Sequence, residues 1–301
     1  MTLLEIEAFL AVVKWGTLSG AAQNLYITQP ALTRRVQIME EELGYPLFTR
    51  GKGSRKVQLT EQGAEFYQIA WKWKRLWEET NSITVRKDRE TLSVAAVDNM
   101  NHNLLSDLYP QFLKQGYMLR LYNAFSEDAY SYMERGIYDL AFITLQDYTQ
   151  PLPDRTQVRP AYSEGFVVAS AQELPNRDGR VCLSCLREES EVFVAWNKEF
   201  KAWHMEHFDE RRLPLVVLEH ATLAQYFLKE DDHWAFATYT AGEQLRAAGA
   251  YIYEPQEAPP PQITYYLANG TKKLPAIRRF LSLLDGKLGM LPREKVQSFL
   301  S

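Results

Sequence analysis

The sequence predicts a two-part α/β protein. A helical start closed by a basic hairpin leads through a long helix into a larger region where strands and helices alternate. Three observations carry that prediction. Apolar residues recur at helical spacing from Leu3 to Leu43, with glycines where the longer runs stop. Two glycines and a serine mark a turn inside the basic run RGKGSRK, Arg50 to Lys56. From Thr91 the texture changes, and the runs TLSVAAVD, LRLYNAF and DLAFIT are separated by helical stretches.

Taken in order, Leu3, Ile6, Phe9, Leu10 and Val13 define a first helix over 3–14, which Gly16 stops. Leu18, Ala21, Ala22 and Leu25 define a second, and Tyr26 and Ile27 make a tight connection. Thr28 caps a third helix, with Pro30 in its first turn, where a missing N–H does no harm. Leu32, Val36, Met39 and Leu43 face inward, and Gly44 ends the helix. Leu47-Phe48 and Val57-Gln58-Leu59 flank the basic turn. Thr60 caps a long helix from about Glu61 to Arg86, along which Phe66, Ile69, Trp73, Leu76, Thr80 and Ile83 alternate by threes and fours. Beyond Thr91, alternating strands and helices point to a parallel sheet, with further strands at GFVVAS, VFVAW, LVVLE, WAFAT and ITYYLA. Helices are expected over 198–210, 221–230, 240–247 and 273–287, and the prolines from Pro255 to Pro261 mark a connection.

Composition fits a folded soluble chain. Of 301 residues, 46% are hydrophobic and 24% charged, which excludes disorder and low-complexity sequence and suggests two or three domains. Two cysteines are too few for a disulfide framework and point to a reducing compartment. The opening MTLLEIEAFLAVVKWG carries Glu5 and Glu7 within its apolar run and fits an amphipathic helix rather than a signal peptide. No run of about 18 apolar residues occurs. The expectation is a soluble, cytoplasmic protein with no membrane partner. The net charge of -4 hides an asymmetry: residues 1–90 carry 13 basic and 11 acidic side chains, residues 91–301 carry 21 and 27. From Thr28 to Lys56 there are six basic and three acidic residues, so the acidity lies mainly in the second half.

Three short helices, a tight turn and a basic hairpin describe a winged helix-turn-helix. A helix fits the major groove of DNA, and its early residues reach base edges. Thr28, Gln29, Thr33 and Arg34 would be exposed there. Gln29 can pair with adenine, Arg34 with guanine or phosphate, while Lys52, Arg55 and Lys56 neutralise backbone charge from the wing. A solvated helical face and a polar loop would show the same periodicity. Residues 3–63 go further: the run AAQNLYITQPALTRRVQIMEEELG, followed by YPLFTR and LTEQG, resembles the DNA-binding domain of LysR-type transcriptional regulators. That resemblance places base and phosphate contacts on Thr28, Gln29, Pro30, Thr33, Arg34 and Arg50. The stretch from Arg50 to Val57 is about two residues longer than the family's usual wing.

The resemblance implies an architecture: a winged helix-turn-helix over 1–60, a linker and dimerisation helix over 61–90, and a two-lobed, periplasmic-binding-protein-like α/β effector domain over 91–301. Lobe I would span about 91–163 and 267–301, lobe II about 164–266. Dimerisation would rest on Phe66, Ile69, Trp73, Leu76 and Ile83; Trp71, Trp73 and Trp77 make the helix unusually aromatic, which suits packing in a seam or against the wing. LRLYNAFSEDAYSYMERGIYDLAFI, PAYSEGFVVAS and WAFATYTAGEQL carry the resemblance into the second half.

Ligands in two-lobed sheets bind between the lobes, beyond the carboxyl ends of strands. The expected effector-binding residues are Asp98, Asn99, Asn101, Ser126, Thr144, Trp196, Asn197 and Thr238. An equally simple role for Ser126 and Asp98 is to cap the helices that follow them. Asp98 would repel a carboxylate unless paired, which leans towards a neutral, amine-bearing or zwitterionic effector. His102 and His220 fall near the same loops. Cys182-Leu-Ser-Cys185 and His204-Met-Glu-His207 could supply zinc ligands or a redox pair, but the histidines are spaced too closely for the usual site, and no metal or cofactor is expected.

The function implied is a ligand-responsive regulator that binds double-stranded promoter DNA at a pseudo-palindromic site as a homodimer or homotetramer. A small molecule would alter lobe closure, DNA bending and contact with RNA polymerase. One alternative is a second half that only oligomerises; another is a small-molecule-binding protein or enzyme. Catalysis has no support, since there is no GxSxG, P-loop or dinucleotide fingerprint.

Overall fold

The computed structural model describes residues 1–50, 57–83, 89–124, 126–144, 156–209, 211–229, 232–270 and 273–300. By contact density it forms two units, residues 1–88 with 135–137 and the remainder.

In the first unit α1 (Leu3–Trp15), α2 (Leu18–Asn24) and α3 (Gln29–Leu43) pack around Ile6, Phe9, Ala21, Leu32, Val36 and Met39. Gly16 and Gly44 end α1 and α3 with φ of 66° and 78°, the left-handed turn that glycine adopts without a Cβ penalty. Strands β1 (Phe48–Arg50) and β2 (Val57–Leu59) form an antiparallel wing. The Glu40 carboxylate accepts the backbone N–H groups of Leu47 and Phe48 at 2.7 and 3.2 Å, so the end of α3 fixes where the wing starts. Thr60 accepts the Gly63 N–H at 2.8 Å and opens α4 (Glu61–Ile83).

The linker helix departs from expectation at Phe66. This side chain is buried with Phe9, Leu47 and Ala70 in the core of its own unit, so it cannot face a partner chain. Trp73 is half-buried against the same core. Ile69, Leu76 and Trp77 are exposed and, with Trp73 and Thr80, line a shallow apolar groove. The side chain of Ile83 lies outside the described residues.

The second unit holds two sheets. In lobe I, β3 (Thr91–Ala96), the turn α5 (Asp98–Met100), a π-helical turn over Asn101–Leu105 and α6 (Leu108–Lys114) lead to β4 (Met118–Asn123), α7 (Ser126–Glu134) and β5 (Leu140–Ile143). Strand β6 (Thr156–Glu164) crosses into lobe II. There β7 (Phe166–Ser170), β8 (Arg180–Val181), β9 (Val192–Val194), α8 (Lys198–His207), β10 (Val216–Leu218), α9 (Ala224–Phe227), β11 (Trp234–Thr238), α10 (Tyr239–Ala247) and β12 (Tyr251–Pro255) follow. Strand β13 (Gln262–Asn269) crosses back, and α11 (Leu274–Leu288) and β14 (Val296–Ser298) finish lobe I.

Lobe I has strand order β14-β6-β13-β5-β3-β4, and lobe II β11-β7-β12-β8 with the pair β10-β9 beside β11. The alternation of strand and helix predicts a parallel sheet, and β3, β4 and β5 do run parallel. The returning strand does not: β13 is antiparallel to both β5 and β6, because the chain returns from lobe II in the direction opposite to its departure. The expected lobe boundary at 266/267 falls inside β13, whose ladder with β6 begins at the pair Gln262–Glu164. Lobe I buries Leu92, Val94, Phe112, Phe142 and Phe280, and lobe II buries Val168, Phe200, Trp234 and Phe236.

Candidate functional sites

The exposed end of α3 is the first candidate site. Thr28 caps it, its hydroxyl accepting the Ala31 N–H at 3.4 Å. Thr28, Gln29, Pro30 and Arg34 are exposed, whereas Thr33 is half-buried, turned part way towards the core side of the helix. The Ser19 hydroxyl donates to Gln29 Oε1 at 2.9 Å, which orients the amide from the neighbouring α2. Arg34 lies 3.7 Å from Glu41, an exposed and weak pairing that DNA phosphate could displace. Lys52, Arg55 and Lys56 lie outside the described residues, as does the Arg50 side chain.

Sequence reasoning missed Tyr26 as a surface feature. It sits in the turn before α3 with φ of 54° and is 95% exposed. A bulky side chain in the left-handed region is uncommon.

The second candidate is the cleft between the lobes, a cavity of about 430 Å³. Asp98, Asn99, Thr144, Trp196 and Asn197 border it, as expected from the strand ends. Asp98 Oδ2 accepts the Thr222 hydroxyl from the opposite lobe, His220 Nδ1 stands 3.8 Å away, and Asn123 Nδ2 donates to Oδ1 at 3.5 Å. These donors fix the carboxylate at the cleft wall and tie it to the opposite lobe. Trp196 Nε1 donates to the Phe236 carbonyl at 3.0 Å, which fixes the indole along the cleft wall. Asn197 caps α8 by accepting the Phe200 N–H at 2.7 Å.

Two expected residues are elsewhere. Asn101 does not border the cavity. Its side-chain amide donates to the Ala96 and Tyr122 carbonyls, both at 3.1 Å, and its oxygen accepts the Tyr109 hydroxyl, so it ties the ends of β3 and β4 together. Thr238 is fully buried at the end of the lobe II strand β11, where neighbouring strands cover it. Ser126 opens α7, and its side chain lies outside the described residues.

Beneath the cleft, Thr238 and Thr240 flank Glu164, a fully buried carboxyl at the end of β6. Glu164 Oε2 accepts the Thr240 N–H and hydroxyl at 2.9 and 2.8 Å. Burial raises its pKa, and these donors offset only part of that. Glu164 Oε1, Thr238 Oγ1 and Gln262 Oε1 are buried without a partner of hydrogen-bonding geometry.

Lys198, Lys201, Glu219, His220 and Gln262 also border the cavity. Lys198 ends the segment AWNK, residues 195–198, expected at the cleft from the strand ends, whereas Lys201, Glu219 and Gln262 were missed. Lys201 stands just past that segment, on the first turn of α8, and loop-centred reasoning stopped before it. His102 borders a small cavity of about 50 Å³ alongside Trp196 and Phe236.

The cysteine and histidine pairs do not converge. Both cysteines are free thiols, and hydrogen bonds from Ser184 lower the pKa of Cys182. His204 is held by the buried Glu191 at 2.9 Å, and His207 stacks on Trp203. Burial raises the Glu191 pKa. Among the described residues no group of three His, Cys, Asp or Glu is placed to hold a metal, and no helix is long and apolar enough to cross a membrane.

Comparison with known proteins agrees with this division. Residues 3–64 match the family described as bacterial regulatory helix-turn-helix protein, lysR family, and residues 86–289 match the LysR substrate binding domain. A probable RuBisCO transcriptional regulator from Cyanidioschyzon merolae is 43% identical over 79 residues, 26% of this chain and 25% of that protein. The HTH-type transcriptional regulator BenM from Acinetobacter baylyi is 32% identical over 163 residues, 53% of each chain. The matched region thus spans between a quarter and about half of these curated relatives. Full-length CbnR in complex with its target DNA has the same fold, with a TM-score of 0.66 at 18% identity, covering 95% of this chain and all of that one.

Proposed function

Because the chain belongs to the LysR family of bacterial helix-turn-helix regulators, we propose that it is a DNA-binding transcriptional regulator controlled by a small molecule in the interlobe cleft. The cleft carries the regulatory half of this reading. It is an open cavity of about 430 Å³ with polar groups from both lobes, where a domain kept only for oligomerisation would present a packed or apolar seam. The exposed cap of α3 supplies the DNA-reading half, with Gln29 and Arg34 directed at bases or phosphate and Thr28 and Pro30 at the backbone.

The chain acts as a homodimer or homotetramer, joined in part through Ile69, Trp73, Leu76 and Trp77 of α4, and reads a pseudo-palindromic promoter site in the cytoplasm. Asp98 and Thr222 hold the lobes in one arrangement; an effector that binds another arrangement better shifts that equilibrium, and with it DNA bending and contact with RNA polymerase. Fluorescence anisotropy of the full chain on DNA from its own promoter region, titrated with salt, tests the first half. Binding that weakens steeply with salt supports the reading, and a chain that ignores this DNA at low salt refutes it.

A further inference from the structure

We infer that Cys182 and Cys185 form a redox-active dithiol on lobe II, which exchanges with small disulfides and closes to a disulfide across a single turn of chain. Neither cysteine borders the cleft, so the site is separate from the effector cavity.

The backbone sets the reach. Cys185 donates its N–H to the Cys182 carbonyl at 3.0 Å, and Leu183–Cys185 form one 3-10 turn. A rise of about 2 Å per residue puts the two Cα atoms about 6 Å apart, close to the commonest spacing for a disulfide. The turn is held at both ends. Before it, Val181 is fully buried in the lobe II core and pairs with Pro255 of β12. After it, Leu186 is buried in the same core. Closing the pair therefore needs side-chain rotation and little movement of the chain.

The two thiols are unequal. Cys185 is exposed and Cys182 half-buried. Cys182 Sγ lies 3.0 Å from Ser184 Oγ, over the turn that Cys185 closes. Hydrogen bonding from Ser184 lowers the Cys182 pKa, and desolvation and the Glu257 carboxylate oppose this without cancelling it. The thiolate is the attacking form, so Cys182 is the nucleophile and Cys185 the resolving thiol.

A crosslink here would add little stability. A disulfide constrains the unfolded chain least when it closes a short loop, and Phe200, Trp234 and Phe236 already give the lobe an aromatic core. The pair suits exchange instead. The Cys182 thiolate attacks one sulfur of a small disulfide RSSR, forming a mixed disulfide and expelling RS⁻. The Cys185 thiolate then attacks Cys182 Sγ, the protein disulfide forms, and the second RS⁻ leaves. Each RS⁻ takes up the proton given up by a cysteine. RSSR is thus reduced to two RSH while the protein loses two electrons, and a reducing dithiol reverses both steps.

Intact mass and thiol alkylation of the full chain test this, with 2-hydroxyethyl disulfide at millimolar concentration and neutral pH as the probe. The reduced parent should lose the mass of two hydrogens, retain no adduct, and lose alkylation at both cysteines together. Cys185→Ser should accumulate a single mixed disulfide on Cys182. Cys182→Ser should react through Cys185 at least about twofold more slowly than that, and the lead of Cys182 should disappear at a pH where both thiols are ionised. A parent that stops at stable adducts, or that links chain to chain, places the thiols out of each other's reach. Equal rates for the two single-cysteine variants at neutral pH remove the division of roles, and thiols that remain fully alkylatable are inert. Each of these results overturns the inference, and the parent chain alone decides whether the pair closes, whatever the variants do to folding.

Discussion

The Thr222 hydroxyl donates to Asp98 Oδ2, joining the loop after β3 to the loop after β10 across 124 residues of sequence. The acceptor is a partly buried carboxylate, so its loss leaves an ill-satisfied charge as well as a missing bond. Thr222→Val, close in shape, is expected to lower unfolding stability by about 0.5–1.5 kcal/mol, read from the urea midpoint. A midpoint within error of the parent would show that the lobes are held by other contacts.

Gly63 is the tightest backbone approach in the DNA-binding unit. A Cβ there would lie 2.1 Å from the Leu47 carbonyl oxygen, and that backbone is itself held by Glu40. Gly63→Ala should cost roughly 2 kcal/mol or more, because neither chain can yield cheaply. Gly286, exposed in α11 with open space around it, is the control; Gly286→Ala should be neutral or stabilising by about 0.5–1 kcal/mol. Equal melting temperatures for the two variants would contradict the steric account.

On α4 the two classes of apolar residue separate by experiment. Leu76→Glu should push the sedimentation profile towards monomer with little change in stability, since Leu76 is 57% exposed. Phe66→Ala should instead destabilise by about 3–5 kcal/mol through cavity formation, with dimerisation affected only as the fold is lost. A Leu76→Glu protein that sediments like the parent would remove α4 from the interface.

Arg34→Ala should weaken promoter binding and reduce the dependence of log affinity on log salt by about one per phosphate contact removed. An unchanged slope with lost sequence preference would assign Arg34 to a base instead. Tyr26→Ala, which removes an exposed ring, should weaken binding without altering the fold, as circular dichroism would report.

Glu164 gives a pH dependence of defined sign. Its folded pKa is raised by burial, so the native state holds the proton more tightly than the unfolded chain. Its contribution is therefore fully present below the ordinary carboxyl value of 4.5 and is lost as pH climbs from there through the raised folded value. Glu164→Gln keeps an acceptor for Thr240, does not ionise, and can donate towards the unpartnered Thr238 hydroxyl. Its stability relative to the parent should rise with pH over that window. A difference that stays flat with pH would mean that the carboxyl ionises freely in place.

Where local chemistry dictates structure, the sequence was readable. Gly16 and Gly44 stop α1 and α3 because only their backbones enter the left-handed region without strain, and Thr28 and Thr60 cap the helices that follow. Phe66 was misassigned because heptad spacing says that a face is buried without saying against what. The sheet was misread for a similar reason: the pairing of Gln262 with Glu164 joins residues far apart in the chain, and strand periodicity carries no sign of direction. In the cleft, Asp98, Asn99, Trp196 and Asn197 follow from strand ends. Asn101 and Thr238 show the limit, since a polar residue beside a loop can equally be consumed by the backbone or covered by a neighbouring strand.

The position of β13 between β6 and β5 also governs the order of events on the ribosome. Lobe II is a single uninterrupted stretch and can fold as soon as it emerges, as can the helices that precede β3. Lobe I cannot, because its middle strand is made after lobe II, at residues 262–269. Until then β5 and β6 each present an unpaired edge to whatever nascent chain is nearby. Translational arrest or truncation before Gln262 therefore yields a sticky, half-closed lobe beside two finished modules, and chaperone demand should peak in that interval of synthesis.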